Sequence, residues 1–296
     1  MKTTSFEMAF IIRDLMKIQC IALDLDRTTL DGSGRLSPGN RKALEYAISK
    51  GVHIVIASGR AFATLPGDVI SVPGIEYAIT SNGAAVYHIP TGKCLHSYTL
   101  LPQSVRDILR LTAEEPVVYE AFVSGEAYAD AAYLRDPVKY GASARAIAYV
   151  QSTRHLVEDM PAFINQHIRQ LDSMDVVVRD GETRDRISAL LRREVPDIYV
   201  TSSVQQLVEI SHRDAGKHSG VRFVTELLGL SPEAVAAFGD GDNDVDMLAY
   251  VGRGIAVANA SPACLAAADL VTGHHDEDGV AQGIYQILDE SAGASS

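Results

Sequence analysis

The 296-residue chain has no tryptophan, three cysteines and only 6% aromatic residues. Cys20, Cys94 and Cys264 are odd in number, far apart and without CxxC spacing, which argues against a disulfide framework and suits free thiols in a reducing cytoplasm. No run approaches the roughly 20 apolar residues that a membrane span needs. Positive charge is short. Lys+Arg number 26 against 38 Asp+Glu, a formal net charge of -12. That balance argues against nucleic acid or an anionic membrane as the main partner. It leaves room for a phosphorylated small molecule, because a metal and a few local cations can reverse the field inside one cleft. No secretory signal is expected from the N-terminal segment: Ala9-Phe10-Ile11-Ile12 is too short for its apolar region and is flanked by Glu7 and Asp14. Residues 1–17 read as an extension, and truncation to Met16 is expected to leave activity intact. The sequence carries no signal for oligomeric state.

What is present is an ordinary globular composition, 47% hydrophobic and 22% charged, in a chain long enough for more than one core. Cys20 to Leu25 is an apolar run without alternation, as in a strand buried on both faces. Ser37-Pro38 opens a helix that Gly51 stops, and Val52 to Ala57 and Glu76 to Thr80 are further strands. After Ser211 the same rhythm resumes. Lys217 opens a helix, Val235 to Phe238 and Ile255 to Ala258 are strands, and a last helix starts near Gly279. Alternation of this kind predicts an α/β core with a parallel sheet. Between Leu101 and His212 helical and alternating segments mix, which predicts an inserted α+β unit. Its antiparallel sheet is expected to have one wet face, placed to cover the core's cleft. The expected division is a core of residues 18–100 and 213–296 and an insertion of residues 101–212.

Two acidic groups end apolar runs. Asp24 and Asp26 follow Ile21-Ala22-Leu23, and Asp240, Asp242, Asp244 and Asp246 follow Ala236-Ala237-Phe238-Gly239. The carboxyl ends of buried strands are where open α/β sheets bind ligands. Carboxylates brought close repel unless a cation joins them, and oxygen ligands suit Mg²⁺. A calcium loop counted from Asp240 fails, since its sixth and twelfth positions hold Val245 and Val251 rather than Gly and Glu. Asp240 is the expected direct ligand, Asp244 a ligand or an organiser of metal-bound water, and Asp242 and Asp246 exposed. Asp24 and Asp26, two apart, project to one side of an extended chain, so one can attack a phosphorus while the other handles a proton. Ser58 with the Gly59 N–H can donate to phosphoryl oxygens, as can Asn243. Lys217, a cation at a helix start, lies against the helix dipole and points to an anion partner as a mobile ammonium. His274 and His275 are read as plain loop residues.

Asp24-Leu-Asp26-Arg-Thr28, Ser58-Gly-Arg60, Lys217 and Gly239-Asp240-Gly-Asp-Asn243-Asp244 stand in the order of the four motifs of haloacid-dehalogenase superfamily phosphatases. Ser81-Asn82-Gly83-Ala84, the large insertion and Asp278-Gly279-Val280 resemble the Cof-type branch, which carries a class IIB cap. The resemblance implies a Rossmann-like core with strand order 3-2-1-4-5. It implies Asp24 as nucleophile and Mg²⁺ ligand, and Asp26 as acid/base lending its backbone carbonyl to the metal. Asp240 and Asp244 complete the metal site, and Thr28, Ser58, Gly59, Asn82, Lys217 and Asn243 hold phosphate and substrate. Arg27 replaces the usual Gly and is read as facing solvent. Thr29 replaces a usual Leu, and His218 follows Lys217 where Gly is common.

Hydrolysis of a small phosphomonoester, such as a sugar phosphate or phosphorylated cofactor, follows as the leading expectation. Phosphoryl transfer between sugars stays open on the same scaffold, as does a non-catalytic phospho-acceptor pocket like a receiver domain. In the insertion, Tyr119, Tyr128, Tyr133, Tyr140 and Tyr149 are core-edge residues by default and stacking platforms otherwise.

Overall fold

The computed structural model describes residues 17–293, so the expected extension lies, but for Lys17, outside the described residues. The first half contributes β1 (Cys20–Leu23), β2 (His53–Ala57), β3 (Ile75–Thr80), β4 (Ala85–His88), β5 (Lys93–Ser97), β6 (Val118–Val123) and β7 (Glu126–Asp130). The second half contributes β8 (His155–Val157), β9 (Leu171–Val177), β10 (Ile198–Thr201), β11 (Leu207–His212), β12 (Val235–Gly239), β13 (Arg253–Ala256) and β14 (Leu270–Val271).

Eight strands form one sheet in the order β14-β13-β12-β1-β2-β3-β4-β5. Its parallel centre, β3-β2-β1-β12-β13, has the implied 3-2-1-4-5 order, and β4 and β5 extend it as an antiparallel hairpin. Every residue of β1 is buried because both faces are covered. Ile21 and Leu23 point to one side, against Leu44 of the helix Pro38–Ser49 and Ile284 of the helix Gly279–Gly293. Cys20 and Ala22 point to the other, against Val221 and Val224 of the helix Lys217–Leu227. The helix Pro38–Ser49 starts where the sequence predicts, with the Asn40 N–H donating to Ser37 Oγ at 3.0 Å.

The remaining six strands form a second sheet, β10-β11-β9-β6-β7-β8. One face packs on the helices Pro102–Leu111, Met160–Gln166 and Gly181–Glu194 through Val105, Ile164 and Ile187. The other face looks toward the carboxyl ends of the first sheet. Two details depart from the sequence reading. β7 and β8 pair in parallel, so the sheet is not wholly antiparallel. The expected wet face does lie over the core but is largely buried there: Glu120, Asp175 and Glu209 on it are 1%, 4% and 7% exposed.

Candidate active site

β1 stops at Leu23, and Asp24 is the first residue beyond it, its N–H donating to the Phe238 carbonyl of β12 at 3.0 Å. The chain then winds through a wide turn, Leu25–Thr29, in which Arg27 takes φ +63°. Glycine reaches this left-handed region without cost and arginine does not, which explains why Gly is the common residue there. Thr29 Oγ1 donates to the Asp24 carbonyl and Asn40 Nδ2 donates to the Thr29 carbonyl, so two buried side chains fix the turn.

The turn separates the two aspartates that the sequence reading put on one side. Asp24 is buried. Asp26 has a half-exposed carboxylate gripped by Arg60, with Nε 2.8 Å and Nη2 2.6 Å from its two oxygens. Arg60 also lies over the ring of Tyr149, 4.4 Å from its centroid, and Arg154 lies 4.6 Å from the same centroid. Arg154 in turn donates to Glu120 Oε1 at 2.8 Å. A continuous chain of contacts therefore runs from Asp26 in the first sheet's domain to Glu120 in the second.

Lys217 is not the mobile ammonium of the sequence reading. Its Nζ has no exposure and donates to Asp24 Oδ1 and Asp244 Oδ1, at 2.6 Å each. Burial opposes its charge, but the two carboxylates more than offset this, and its pKa is raised. Asp244 spends its other oxygen on the N–H groups of Asp240 and Gly241, both at 2.9 Å. Asp240 accepts from Thr28 Oγ1 at 3.1 Å, which turns Thr28 toward the acidic cluster. Arg27 is exposed but does not simply face solvent: its Nε stands 3.7 Å from Asp240. Ser58 is buried at the end of β2, and its carbonyl accepts from the Asn82 N–H. Asn243 Nδ2 donates to Asn82 Oδ1 at 3.0 Å. The next residue, Gly83, has φ +89°, and a Cβ there would stand 2.0 Å from the Gly216 carbonyl. Glycine at 83 is thus what lets the end of β3 touch the residue before Lys217.

Asp24, Asp240 and Asp244 bring ligand oxygens within 4.8 Å of one another. Against these three carboxylates stands one ammonium, so negative charge is left over in a buried place. Burial first, then Asp244 and Asp240, push Asp24 well above the usual carboxylate range despite Lys217. Burial and Asp244 push Asp240 up to about 6. An oxygen-only donor set with excess buried negative charge fits a hard divalent cation such as Mg²⁺. Asp242 and Asp246 are exposed and bound instead by Ser261 and Tyr199.

His274 lies in a loop as read, but His275 is more than a plain loop residue. His275 is buried with Nδ1 2.9 Å from the Leu30 carbonyl, and Asp276 accepts from the Gly32 N–H at 2.6 Å. With Asp276 they form a second close group of possible ligand atoms, whose visible work is to pin the loop after the Leu25–Thr29 turn. Above the acidic cluster lies a cavity of about 800 Å³ between the two sheets, floored by Asp24, Asp240 and Asn243 and roofed by Glu120, Asp175 and Glu209. Motif reading passed over Arg154, Glu120, Asp175 and Glu209, which act through partners on other elements. Only the acids standing inside strand patterns could have signalled them.

Comparison with known proteins adds the following. A family model described as haloacid dehalogenase-like hydrolase matches residues 21–284. Phosphatase YwpJ of Bacillus subtilis (strain 168) is 29% identical over 92% of this chain and 100% of its own length. A solved haloacid dehalogenase-like hydrolase from B. subtilis is 26% identical, with a TM-score of 0.79, covering 92% of this chain and 100% of that one. The fold is also that of the subclass IIB sugar phosphatase BT4131, with a TM-score of 0.75 at 18% identity over 90% of this chain and 98% of that one.

Proposed function

The chain belongs to the haloacid dehalogenase-like hydrolases, as a Cof-type phosphatase acting on phosphomonoesters, and on that premise we propose that it hydrolyses a small phosphomonoester through an aspartyl-phosphate on Asp24 with Mg²⁺ as cofactor. The observation that carries this reading is the buried Lys217 ammonium joining Asp24 to Asp244, with Asp24 and Asp240 presented at the floor of the cavity. In this reading residues 101–212 are the cap and residues 18–100 and 213–296 the core.

Lys217 holds one oxygen of Asp24, leaving the other to attack the phosphorus, and its charge balances the anion that builds up there. Asn243, Asn82, Ser58 and the Gly59 N–H hold the phosphoryl oxygens, and Thr28 steadies Asp240. Asp26 protonates the leaving alkoxide and then takes a proton from the water that opens the aspartyl-phosphate. Both Asp26 oxygens accept from Arg60 in the structure, so Arg60 releases one of them for the carboxyl to carry this proton. Asp24, Asp240 and the Asp26 carbonyl would hold Mg²⁺, with Asp244 beside them, and the ion when bound supplies the positive charge that lets one anion approach another. The six-stranded cap excludes water.

Among the described residues no helix is long and apolar enough to cross a membrane. The free thiols of Cys20, Cys94 and Cys264 support a reducing, cytoplasmic setting. The test is Asp24→Asn assayed with Mg²⁺ on p-nitrophenyl phosphate. Phosphate release is expected to vanish while the circular dichroism spectrum is unchanged, and retained turnover overturns covalent catalysis at Asp24. Product analysis with sugar phosphates separates hydrolysis from isomerisation: inorganic phosphate is expected, not a phospho-isomer.

A further inference from the structure

Three acids from three neighbouring strands stand in one row in the cavity roof. Glu209 of β11 lies opposite Asp175 of β9, and Asp175 lies opposite Glu120 of β6. Like charges directly opposite across strands weaken a sheet, and burial makes this worse. The face does not demand polarity, since Val118, Phe122, Val177 and Leu207 beside the row are apolar and buried. The row has some partners within the fold: Asn82 and the Ser203 backbone reach Glu209, and Asp175, when it carries a proton, bonds to Glu120. Arg154 takes one oxygen of Glu120, and Ser203 Oγ donates to Glu209 Oε1 at 3.0 Å. The other oxygens, Glu120 Oε2 and Glu209 Oε2, are buried with no hydrogen-bond partner. A buried acceptor without a donor is costly, and a sheet that keeps two of them facing a cavity is built for donors that arrive from elsewhere.

The row is also aimed. Glu209 Oε1 is 3.4 Å from where a Cβ on Gly59 would stand, so one end of the row touches the turn that holds the phosphoryl group in the reading above. From there it runs through Asp175 to Glu120, away from that turn. A phosphomonoester bound at Asp24 has this row along one wall for its leaving group, and Arg60, Arg145 and Arg154 line the same cavity.

We propose that Glu120, Asp175 and Glu209 receive the leaving group, and that this group is an uncharged or cationic hydrogen-bond donor, a polyol or amino-polyol, and never carries a second anion. The inference rests on the phosphatase reading and adds the substrate class to it. Hydroxyl or ammonium hydrogens satisfy Glu120 Oε2 and Glu209 Oε2, whereas a carboxylate or second phosphate meets buried negative charge. Burial, with Glu209 and Glu120 adding, raises the pKa of Asp175, so the empty row relieves part of its repulsion by keeping a proton. A proton on Asp175 can bond to Glu120, which leaves Glu209 Oε2 still without a donor.

The experiment measures kcat/KM with Mg²⁺ for glucose 6-phosphate, glucosamine 6-phosphate, 6-phosphogluconate and fructose 1,6-bisphosphate, with p-nitrophenyl phosphate as the generic ester. The neutral and amino sugars are expected to exceed the acid and the bisphosphate by about tenfold or more. Glu120→Gln and Glu209→Gln are expected to shrink that ratio severalfold, and the amino-over-neutral ratio tells an ammonium from a hydroxyl. Equal or faster turnover of the acid or bisphosphate overturns the inference. So does a ratio unmoved in variants that melt like the wild type. If a variant fails to fold, the wild-type panel decides alone. Release from p-nitrophenyl phosphate without discrimination defeats this inference only, while no release from any ester defeats the phosphatase reading and this one with it.

Discussion

Lys217 shows what a single buried charge demands. Its ammonium has no exposure and two carboxylate partners, so its removal leaves Asp24, Asp240 and Asp244 facing one another with no cation near them except Arg27, which reaches Asp240 alone. Breaking such a buried pair costs about 3–5 kcal/mol. Lys217→Met is therefore expected to lose that much stability in EDTA, read from urea unfolding, and to regain part of it when Mg²⁺ is added. Arg27 makes the opposite case. It sits at φ +63° with its guanidinium 3.7 Å from Asp240, so Arg27→Gly removes about 1 kcal/mol of backbone strain, offset by a similar loss to unfolded-chain freedom. Stability is expected to change little, while the Mg²⁺ concentration for half-maximal turnover falls because a competing cation is gone; a rise in that concentration would refute the argument. At this scale the sequence was readable wherever acids cluster at strand ends, as at Asp24 and Asp240. It was silent where a side chain's partner is far along the chain. Asp26 and Arg60 are 34 residues apart, and nothing local marks their pairing.

Strands were legible when their apolar residues ran together or alternated plainly. β1, β2 and β12 did so, and the parallel centre of the first sheet followed from them. β9 did not. Leu-Asp-Ser-Met-Asp-Val-Val breaks its apolar run with Asp172, Ser173 and Asp175, yet all seven residues are buried. The polar positions serve the cavity and the Gly125 N–H, which Asp172 accepts at 2.9 Å, so function and loop anchoring overrode the pattern that reveals a strand. The central strand of the second sheet was hidden for this reason. The β4–β5 hairpin and the short helices of residues 131–166 were likewise not foreseen, being too short to build a periodic signal. Element ends carry meaning as well. Gly83→Ala would set a methyl 2.0 Å from the Gly216 carbonyl at φ +89°, pushing the start of the helix Lys217–Leu227 outward. It is expected to cost at least ~2 kcal/mol in denaturant titration and to depress kcat more than KM, because Lys217 moves with the helix end.

The molecule as a whole stores unneutralised acid in its interior, and pH should report it. Asp24, Asp172, Asp175, Glu209 and Asp240 all have raised values, chiefly through burial, with Asp172 and Asp240 near about 6. A carboxyl raised above its unfolded value keeps a proton in the native state that the unfolded chain has lost. Stability therefore falls as pH rises from about 4 through about 6, where Asp172 and Asp240 titrate, and Asp24 and Asp175, raised well above the carboxylate range, carry the loss to higher pH. His218, lowered by burial, acts the other way but alone, and the lowered surface carboxyls Asp31, Asp107, Glu115 and Asp180 matter only in stronger acid. Metal-free protein is expected to melt a few degrees higher at pH 5 than at pH 7.5 in calorimetry. Mg²⁺ should raise the melting temperature more at pH 7.5 than at pH 5, and the reverse order would show that the acids are already neutralised by other means. Arg60 and Arg154 both lie against the ring of Tyr149, one anchored on Asp26 and the other on Glu120. A mutation at Glu120 that admits a new compound also slackens Arg154, then Tyr149, then Arg60, and so reaches the group that delivers the proton. Lineages descending from this protein cannot change diet without retuning speed, and new preferences should arrive first as slow enzymes that later mutations repair.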